Sequence, residues 1–177
     1  EVCKDMERKD FARCLVFHSL SKRSNMPGFR SGFVAGDRNL IKPFLQYRTY
    51  HGCAMPLPSQ KASVAAWQDE RHVVANRQAY RQKFAAVLPL LQQEFDIKQP
   101  EASFYCWLNL QTDDQQFVQR LFGEENLIVV PGSYLARDTA IGNPGRNHVR
   151  LALVGGLQDC IDGVTRLIEC RRRLMSA

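Results

Sequence analysis

Residues 17–33 constrain this chain more than any other stretch, because they place a lysine and an arginine between two short apolar runs. The stretch reads F-H-S-L-S-K-R-S-N-M-P-G-F-R-S-G-F. Ser19 and Ser21 precede Lys22, and Arg30 follows it beyond a Pro-Gly turn. Two hydroxyls and a guanidinium can bind a phosphate, and a lysine beside that phosphate can form a Schiff base with a phosphate-bearing aldehyde. Composition alone favours a basic surface loop, which is the commoner occurrence.

Arg150 is the second unusual residue, because it interrupts an apolar strand pattern, V-R-L-A-L-V. Burying a lone guanidinium is costly, so this side chain must face water or a partner. One possibility is an edge strand with Arg150 in solvent or beside an acidic residue. The other is a bidentate clamp on a carboxylate, a geometry that arginine provides and lysine does not. The strand pattern by itself slightly favours the first possibility.

The spacing of these residues resembles a known family. The pattern S-x-S-K followed by G-x-R-x-G is similar to the cofactor-lysine signature of class I and II aminotransferases of pyridoxal-phosphate fold type I. Within that family, the sequence S-L-S-K-R-S-N looks closest to the succinyldiaminopimelate aminotransferases of bacterial lysine biosynthesis. The order Pro131-Gly-Ser-Tyr134, Gly142-Asn-Pro-Gly145 and His148-Val-Arg-Leu151 resembles the carboxy-terminal end of the same enzymes. The resemblance covers the whole chain and is firmest over residues 17–37 and 131–154.

The resemblance implies an α/β protein with the fold type I architecture of pyridoxal-phosphate-dependent transferases. Residues 1–72 would be the carboxy-terminal part of the large cofactor-binding domain. Residues 73–177 would be the small α+β domain, opened by a long connector helix. The implied site residues are Lys22 as the catalytic, cofactor-bound lysine, Ser19, Ser21 and Arg30 around the phosphate of pyridoxal 5'-phosphate, and Arg150 on the substrate carboxylate.

The activity implied is the transfer of an amino group between glutamate/2-oxoglutarate and an amino acid, with N-succinyl-diaminopimelate as the expected amino acid. The partners implied are amino-acid and 2-oxo-acid substrates. The full-length protein is expected to be a homodimer and to lie in the cytoplasm. Two alternatives stay open. Another fold type I enzyme, such as a lyase, decarboxylase or acyl-transferring synthase, can share the lysine loop. An aminotransferase-like regulatory domain is the second.

One group that the family needs is missing. The family places an aspartate on a strand upstream of the lysine, where it pairs with the pyridinium nitrogen and makes the ring a good electron sink. Upstream of Lys22 the acidic residues are Glu1, Asp5, Glu7 and Asp10, all in polar sequence without a strand end. We therefore expect a carboxy-terminal fragment of a longer enzyme, inactive when alone.

Composition excludes several other classes of function. The six cysteines are scattered without a C-x-x-C pair and the four histidines are isolated, which predicts a reducing compartment and no metal site. No apolar run approaches the roughly 20 residues that cross a bilayer, so we expect no membrane partner. The net charge of +6 comes from scattered residues, and the one basic run, residues 171–173, suits a helix carboxy terminus. We therefore expect no nucleic-acid partner.

The apolar periodicity predicts alternating strands and helices after a polar loop or helix end at residues 1–13. The first part is predicted to hold buried strands at 13–18 and 32–36, a helix at 39–51 and a helix capped by Ser59. A long amphipathic segment at 72–95 is predicted to kink or split at Pro89. The second part is predicted to hold strands at 103–110, 127–130 and 148–154, a helix capped at Thr112 and stopped at Gly123, and a last helix at 157–174.

Overall fold

The computed structural model describes residues 4, 6, 7 and 11–176. Most of the predicted amino-terminal loop, including Cys3 and the acidic residues Glu1, Asp5 and Asp10, lies outside the described residues. The chain divides by its contacts into two compact units, residues 1–76 and 77–177. The assignment of residues 1–72 to a large domain and of 73–177 to a small domain stays a prediction.

Unit 1 is built on a pair of antiparallel strands. The strands pair from Leu15 opposite Gly36 to Ser19 opposite Gly32. Gly36 has φ +144°, and a Cβ there would lie 2.1 Å from the Cys14 carbonyl oxygen, so the hairpin requires glycine at this position. The elements of unit 1 are β1 (Leu15–Ser19), α1 (Leu20–Arg23), a 3-10 turn (Pro27–Phe29), β2 (Gly32–Gly36), α2 (Arg38–His51), α3 (Leu57–Gln68) and the first part of α4 (Arg71–Leu91).

The prediction that the first two strands are buried is wrong for the chain as described. Phe17 is 65% exposed and Phe33 is 46% exposed. Within the described residues β1 and β2 pair only with each other, so no larger sheet encloses their faces as it does in most α/β proteins. The predicted cap at Ser59 is also wrong, because α3 begins at Leu57. Pro58 is tolerated there, since first-turn N–H groups have no helical acceptor.

Unit 2 is a three-stranded antiparallel sheet covered by helices. Its sheet order is β3-β5-β4, so β5 is the central strand. The elements that follow α4 are β3 (Tyr105–Asn109), α5 (Asp114–Glu125), β4 (Val130–Pro131), a 3-10 turn (Gly132–Tyr134), β5 (His148–Ala152) and α6 (Leu157–Met175). The most enclosed large side chains of this core come from α4, from β3 and β5 or the residues that follow them, from α5 and from α6: Val87, Leu91, Leu108, Leu110, Phe117, Leu121, Val149, Leu153, Val164 and Leu167.

The predicted helices of unit 2 are present with shifted ends. Asp113, not Thr112, caps α5, because its carboxylate accepts the backbone N–H groups of Gln115 and Gln116. That helix passes Gly123 and ends at Asn126, a left-handed residue. α4 continues past Pro89 to Leu91, so the proline does not split it into two helices; Pro89 lies in the last turn of the helix.

Candidate functional site

The loop that joins β1 to β2 gathers four of the five predicted site residues. Its neck is closed by the pairing of Ser19 with Gly32 and by a hydrogen bond from the Leu20 N–H to the Ser31 carbonyl at 3.1 Å. A Cβ at residue 32 would lie 2.6 Å from the His18 carbonyl oxygen, so only glycine allows the strands to approach so closely here. Ser21, Lys22 and Arg30 therefore lie in one short loop at one end of the hairpin, and Ser19 is the last residue of the strand that leads into it.

Lys22 lies on α1, a single helical turn, rather than directly at the end of a buried strand as the sequence predicted. The Leu20 carbonyl closes this turn by accepting the N–H groups of Ser24 at 3.0 Å and of Met26 at 3.3 Å. The Leu20 side chain is fully buried, which anchors the turn to unit 1. Lys22 itself is exposed as a whole residue.

Arg30 lies on the opposite side of the same loop. Its backbone is left-handed, with φ 48°, a conformation that costs a non-glycine residue free energy and often occurs in functional loops. Its Nη1 donates to the Pro27 carbonyl at 3.0 Å, and the side chain is otherwise exposed. The guanidinium has five N–H donors, so donors remain for an anion. A lysine, a guanidinium and two hydroxyls in one loop form a donor set that fits a phosphate and a carbonyl cofactor.

Sequence reasoning missed Arg23, the residue that follows Lys22. Its side chain is only 8% exposed. The guanidinium donates to the Ala66 carbonyl at 2.9 Å, to the Ser24 hydroxyl at 3.1 Å and to the Glu70 carboxylate. No local pattern could have indicated these contacts, because Ala66 and Glu70 lie more than 40 residues further along the chain.

Arg150, the fifth predicted site residue, belongs to unit 2 and lies on the central strand β5. Val149 and Leu151 are buried in the core, so alternation places Arg150 on the opposite face of the sheet. Its neighbours across the sheet are Trp107 on β3 and Val130 on β4. The edge-strand possibility is therefore wrong.

Among the described residues Arg150 has an aromatic contact and no ion pair. Its guanidinium carbon lies 4.5 Å from the Tyr105 ring centroid, within the range of a cation–π contact. Its Nε is buried and has no hydrogen-bond partner among the described residues. A buried donor without a partner is unfavourable until an acceptor binds, and a carboxylate is the acceptor that matches the guanidinium fork.

Asp114 fixes the loop that leads into the Arg150 strand. Its carboxylate, which is 1% exposed, accepts the Ser133 N–H at 2.9 Å and the Asn147 N–H at 3.1 Å. These two residues begin and end the loop at 133–147. Burial alone raises the pKa of this carboxyl, but the hydrogen bonds from Ser133 and Asn147 outweigh burial, so its pKa is lowered.

The described residues contain neither a membrane-spanning helix nor a metal site. No helix there is both long enough and apolar enough to cross a bilayer. No group of three or more His, Cys, Asp or Glu side chains there could hold a metal ion.

Comparison with known proteins gives a consistent family. The family model for class I and II aminotransferases matches residues 2–159. A probable aminotransferase of Mycobacterium tuberculosis is 33% identical over 159 residues, which cover 89% of this chain and 36% of that protein. The crystal structure of an aminotransferase from Neisseria meningitidis is 50% identical, with a TM-score of 0.88 over 96% of this chain and 43% of that one. The chain therefore spans a little over a third of the length of the curated relatives it matches.

Several similar proteins carry diaminopimelate in their names. An LL-diaminopimelate aminotransferase of Natranaerobius thermophilus is 29% identical, over 78% of this chain and 36% of that protein. The structure of a probable N-succinyldiaminopimelate aminotransferase of Thermus thermophilus is 25% identical, with a TM-score of 0.77 over 92% of this chain and 43% of that one. The matches confirm the mixed α/β fold type I architecture. This chain belongs to the class I and II aminotransferases, a family of pyridoxal-phosphate-dependent enzymes.

Proposed function

We propose that the protein carrying this chain is a pyridoxal-phosphate-dependent aminotransferase. It would convert an amino acid and a 2-oxo acid into the matching 2-oxo acid and amino acid, with glutamate/2-oxoglutarate as one pair. The single observation that carries this proposal is the β1–β2 loop, which gathers Lys22, Arg30 and two serines in a chain of this family. The alternatives from the sequence, a lyase, a decarboxylase, an acyl-transferring synthase or a regulatory domain, become outcomes of the test below.

The roles we propose follow from the chemistry of each side chain. The Lys22 amine would bind the cofactor aldehyde covalently and, once displaced by the amino substrate, would carry the proton that leaves the substrate α-carbon. Arg30, Ser19 and Ser21 would hold the cofactor phosphate. Arg150 would hold the substrate carboxylate and so orient the α C–H bond. Pyridoxal phosphate, when bound, supplies the electron sink for this chemistry.

The substrate class we propose is a diaminopimelate derivative. Support comes from the diaminopimelate aminotransferases among the relatives and from the S-L-S-K-R-S-N sequence around Lys22. Arg23 is the arginine of this sequence, and its burial gives a structural reason for an arginine at this position that does not involve the substrate. The choice between N-succinyl-diaminopimelate and other amino donors therefore rests on the relatives and on the resemblance of this sequence to the family, and not on a substrate contact of Arg23.

The carboxy-terminal position of the chain within a longer enzyme, the cytoplasmic location and the homodimer also belong to this proposal. The order of the motifs supports the position, and Cys53, Cys106, Cys160 and Cys170, which form no disulfide, support the reducing compartment. We expect the 177-residue chain alone to show no transamination, because a family enzyme needs an acidic partner for the pyridinium nitrogen. Turnover by the purified 177-residue chain would contradict this expectation.

The test uses the full-length protein reconstituted with pyridoxal phosphate. We expect a visible absorbance band from lysine-bound cofactor that is lost in Lys22→Ala and retained in Lys61→Ala, a matched control on the exposed side of α3. Adding glutamate or N-succinyl-diaminopimelate should shift the band and release the corresponding 2-oxo acid. Absence of the band in the unaltered protein would reject the proposal. Release of carbon dioxide or of an eliminated group instead of a 2-oxo acid would favour one of the other enzyme classes.

A further inference from the structure

Arg23 connects the lysine turn to the end of α3. Three hydrogen-bond acceptors surround its guanidinium: the Ala66 carbonyl, the Ser24 hydroxyl and the Glu70 carboxylate. The guanidinium carbon also lies 4.8 Å from the centre of the Trp67 ring. The planar guanidinium has five N–H donors, so it can donate to all three acceptors while it stacks on an aromatic ring, whereas a lysine ammonium cannot.

Trp67 in turn contacts both strands that flank the loop. Its ring centroid lies 5.3 Å from that of His18 on β1 and 5.0 Å from that of Phe33 on β2, both in edge-to-face arrangements. The His18 and Phe33 rings are 5.8 Å apart, so the three rings form one cluster. Arg23 therefore joins α1 to a packed unit that includes β1, β2 and α3.

The single turn of α1 needs such an anchor. A helix of four residues is too short to be stable by itself, because nucleation costs more than one turn returns. The buried Leu20 side chain and the backbone bonds to Leu20 hold the start of the turn, and the contacts of Arg23 hold its end. Successive helical residues are about 100° apart, so burial of Arg23 on one side determines the direction of Lys22.

We propose that Arg23, held by Trp67 and Glu70, is a positioning residue that aims the Lys22 amine at the cofactor. This inference rests on the proposed function, in which Lys22 binds pyridoxal phosphate. It accounts for the arginine of the S-K-R-S sequence without any contact between Arg23 and substrate. Ser24, 7% exposed and bonded to the Arg23 guanidinium, belongs to the same anchor.

The experiment compares Arg23→Met with Arg71→Met in the full-length protein reconstituted with pyridoxal phosphate. Arg71 is adjacent to Glu70 in sequence, but its side chain is 96% exposed, so it is a matched control. The measurements are the visible circular dichroism of the bound cofactor, which reports its orientation, and the single-turnover rate with glutamate. We expect Arg23→Met to bind cofactor, to change the visible dichroism, and to react about 10- to 100-fold more slowly, the range for small misplacements of a reacting group. Arg71→Met should match the unaltered protein in both the visible dichroism and the single-turnover rate.

Several outcomes would overturn the inference. Unaltered dichroism and rate in Arg23→Met would do so, as would equal losses in the two arginine variants. If far-ultraviolet dichroism shows that Arg23→Met does not fold, the same two measurements are made on Glu70→Gln instead. Glu70 is 68% exposed, so we expect this replacement to leave the fold intact. We expect a loss of about 2- to 5-fold from that variant, with altered visible dichroism, and an unchanged spectrum would overturn the inference. Persistence of the cofactor band in Lys22→Ala would instead reject the proposed function.

Discussion

Replacing Asp114 with alanine should loosen the loop that precedes the Arg150 strand. The carboxylate receives two backbone N–H groups in a buried position. A hydrogen bond to a charged group contributes about 1.5 to 3 kcal/mol, so losing both should cost about 3 to 6 kcal/mol of local stability. Because about 1.4 kcal/mol corresponds to a factor of ten, the Ser133 and Asn147 amides should exchange with solvent at least about 100-fold faster.

The assay is amide hydrogen exchange on the full-length protein, followed at residues 133 and 147. A local measurement is needed, because a chain with two units need not unfold in one step. The matched control is Asp138→Ala, an exposed aspartate in the same loop. Equal exchange in Asp114→Ala and the unaltered protein would refute the argument that this carboxylate holds the loop.

The same bonds predict a pH dependence. The pKa of Asp114 is lowered in the folded protein, below the value of about 3.9 expected for an unfolded chain. Its stabilising contribution is therefore fully present above that unfolded value and is lost as the pH falls through the lower folded pKa. Exchange at Ser133 and Asn147, corrected for the intrinsic rate, should accelerate in this acid range in the unaltered protein and not in Asp114→Ala.

Three further predictions concern other parts of the chain. Arg150→Lys should raise the KM for the amino donor about 10- to 100-fold, because lysine cannot form the bidentate clamp on the carboxylate. Cofactor binding should be unchanged. The control Arg81→Lys, on the exposed side of α4, should leave the KM unaltered. Iodoacetamide should modify exposed Cys53 at neutral pH and spare buried Cys106, whose pKa burial raises to about 11. Glu94→Gln should accelerate exchange in the last turns of α6 by weakening two arginine pairs.

Each of these predictions has its own contradicting result. An unchanged KM in Arg150→Lys would remove this arginine from the proposed carboxylate site. Modification of Cys106 as fast as Cys53, measured by peptide mass, would contradict its burial. For Glu94→Gln the control is Glu169→Gln, an exposed glutamate on α6, and equal effects would show that the pairs with Arg171 and Arg172 are unimportant.

Local patterns predicted most elements and the family. The predicted bounds of β2 agree with the structure, the apolar stripe of α4 is buried as expected at Phe84 and Leu88, and α6 begins at the predicted Leu157. These features depend on residues close in sequence, through helical or strand periodicity. Helix starts were less predictable, because several neighbouring residues can take the cap position. Pro56 precedes α3 where Ser59 was the predicted cap, and Asp113 caps α5 where Thr112 was predicted.

The sequence by itself indicated which residues would carry the proposed chemistry, since the motifs around Lys22, Arg30 and Arg150 resemble those of the family. Only the tertiary structure decided how each is held. Strand order is not local, so only the sheet could place Arg150 on a central strand and on the face opposite the core. The burial of Arg23 against Trp67 and Glu70 likewise depends on contacts between residues distant in sequence. Periodicity describes which side of an element is apolar, but not which element will cover it.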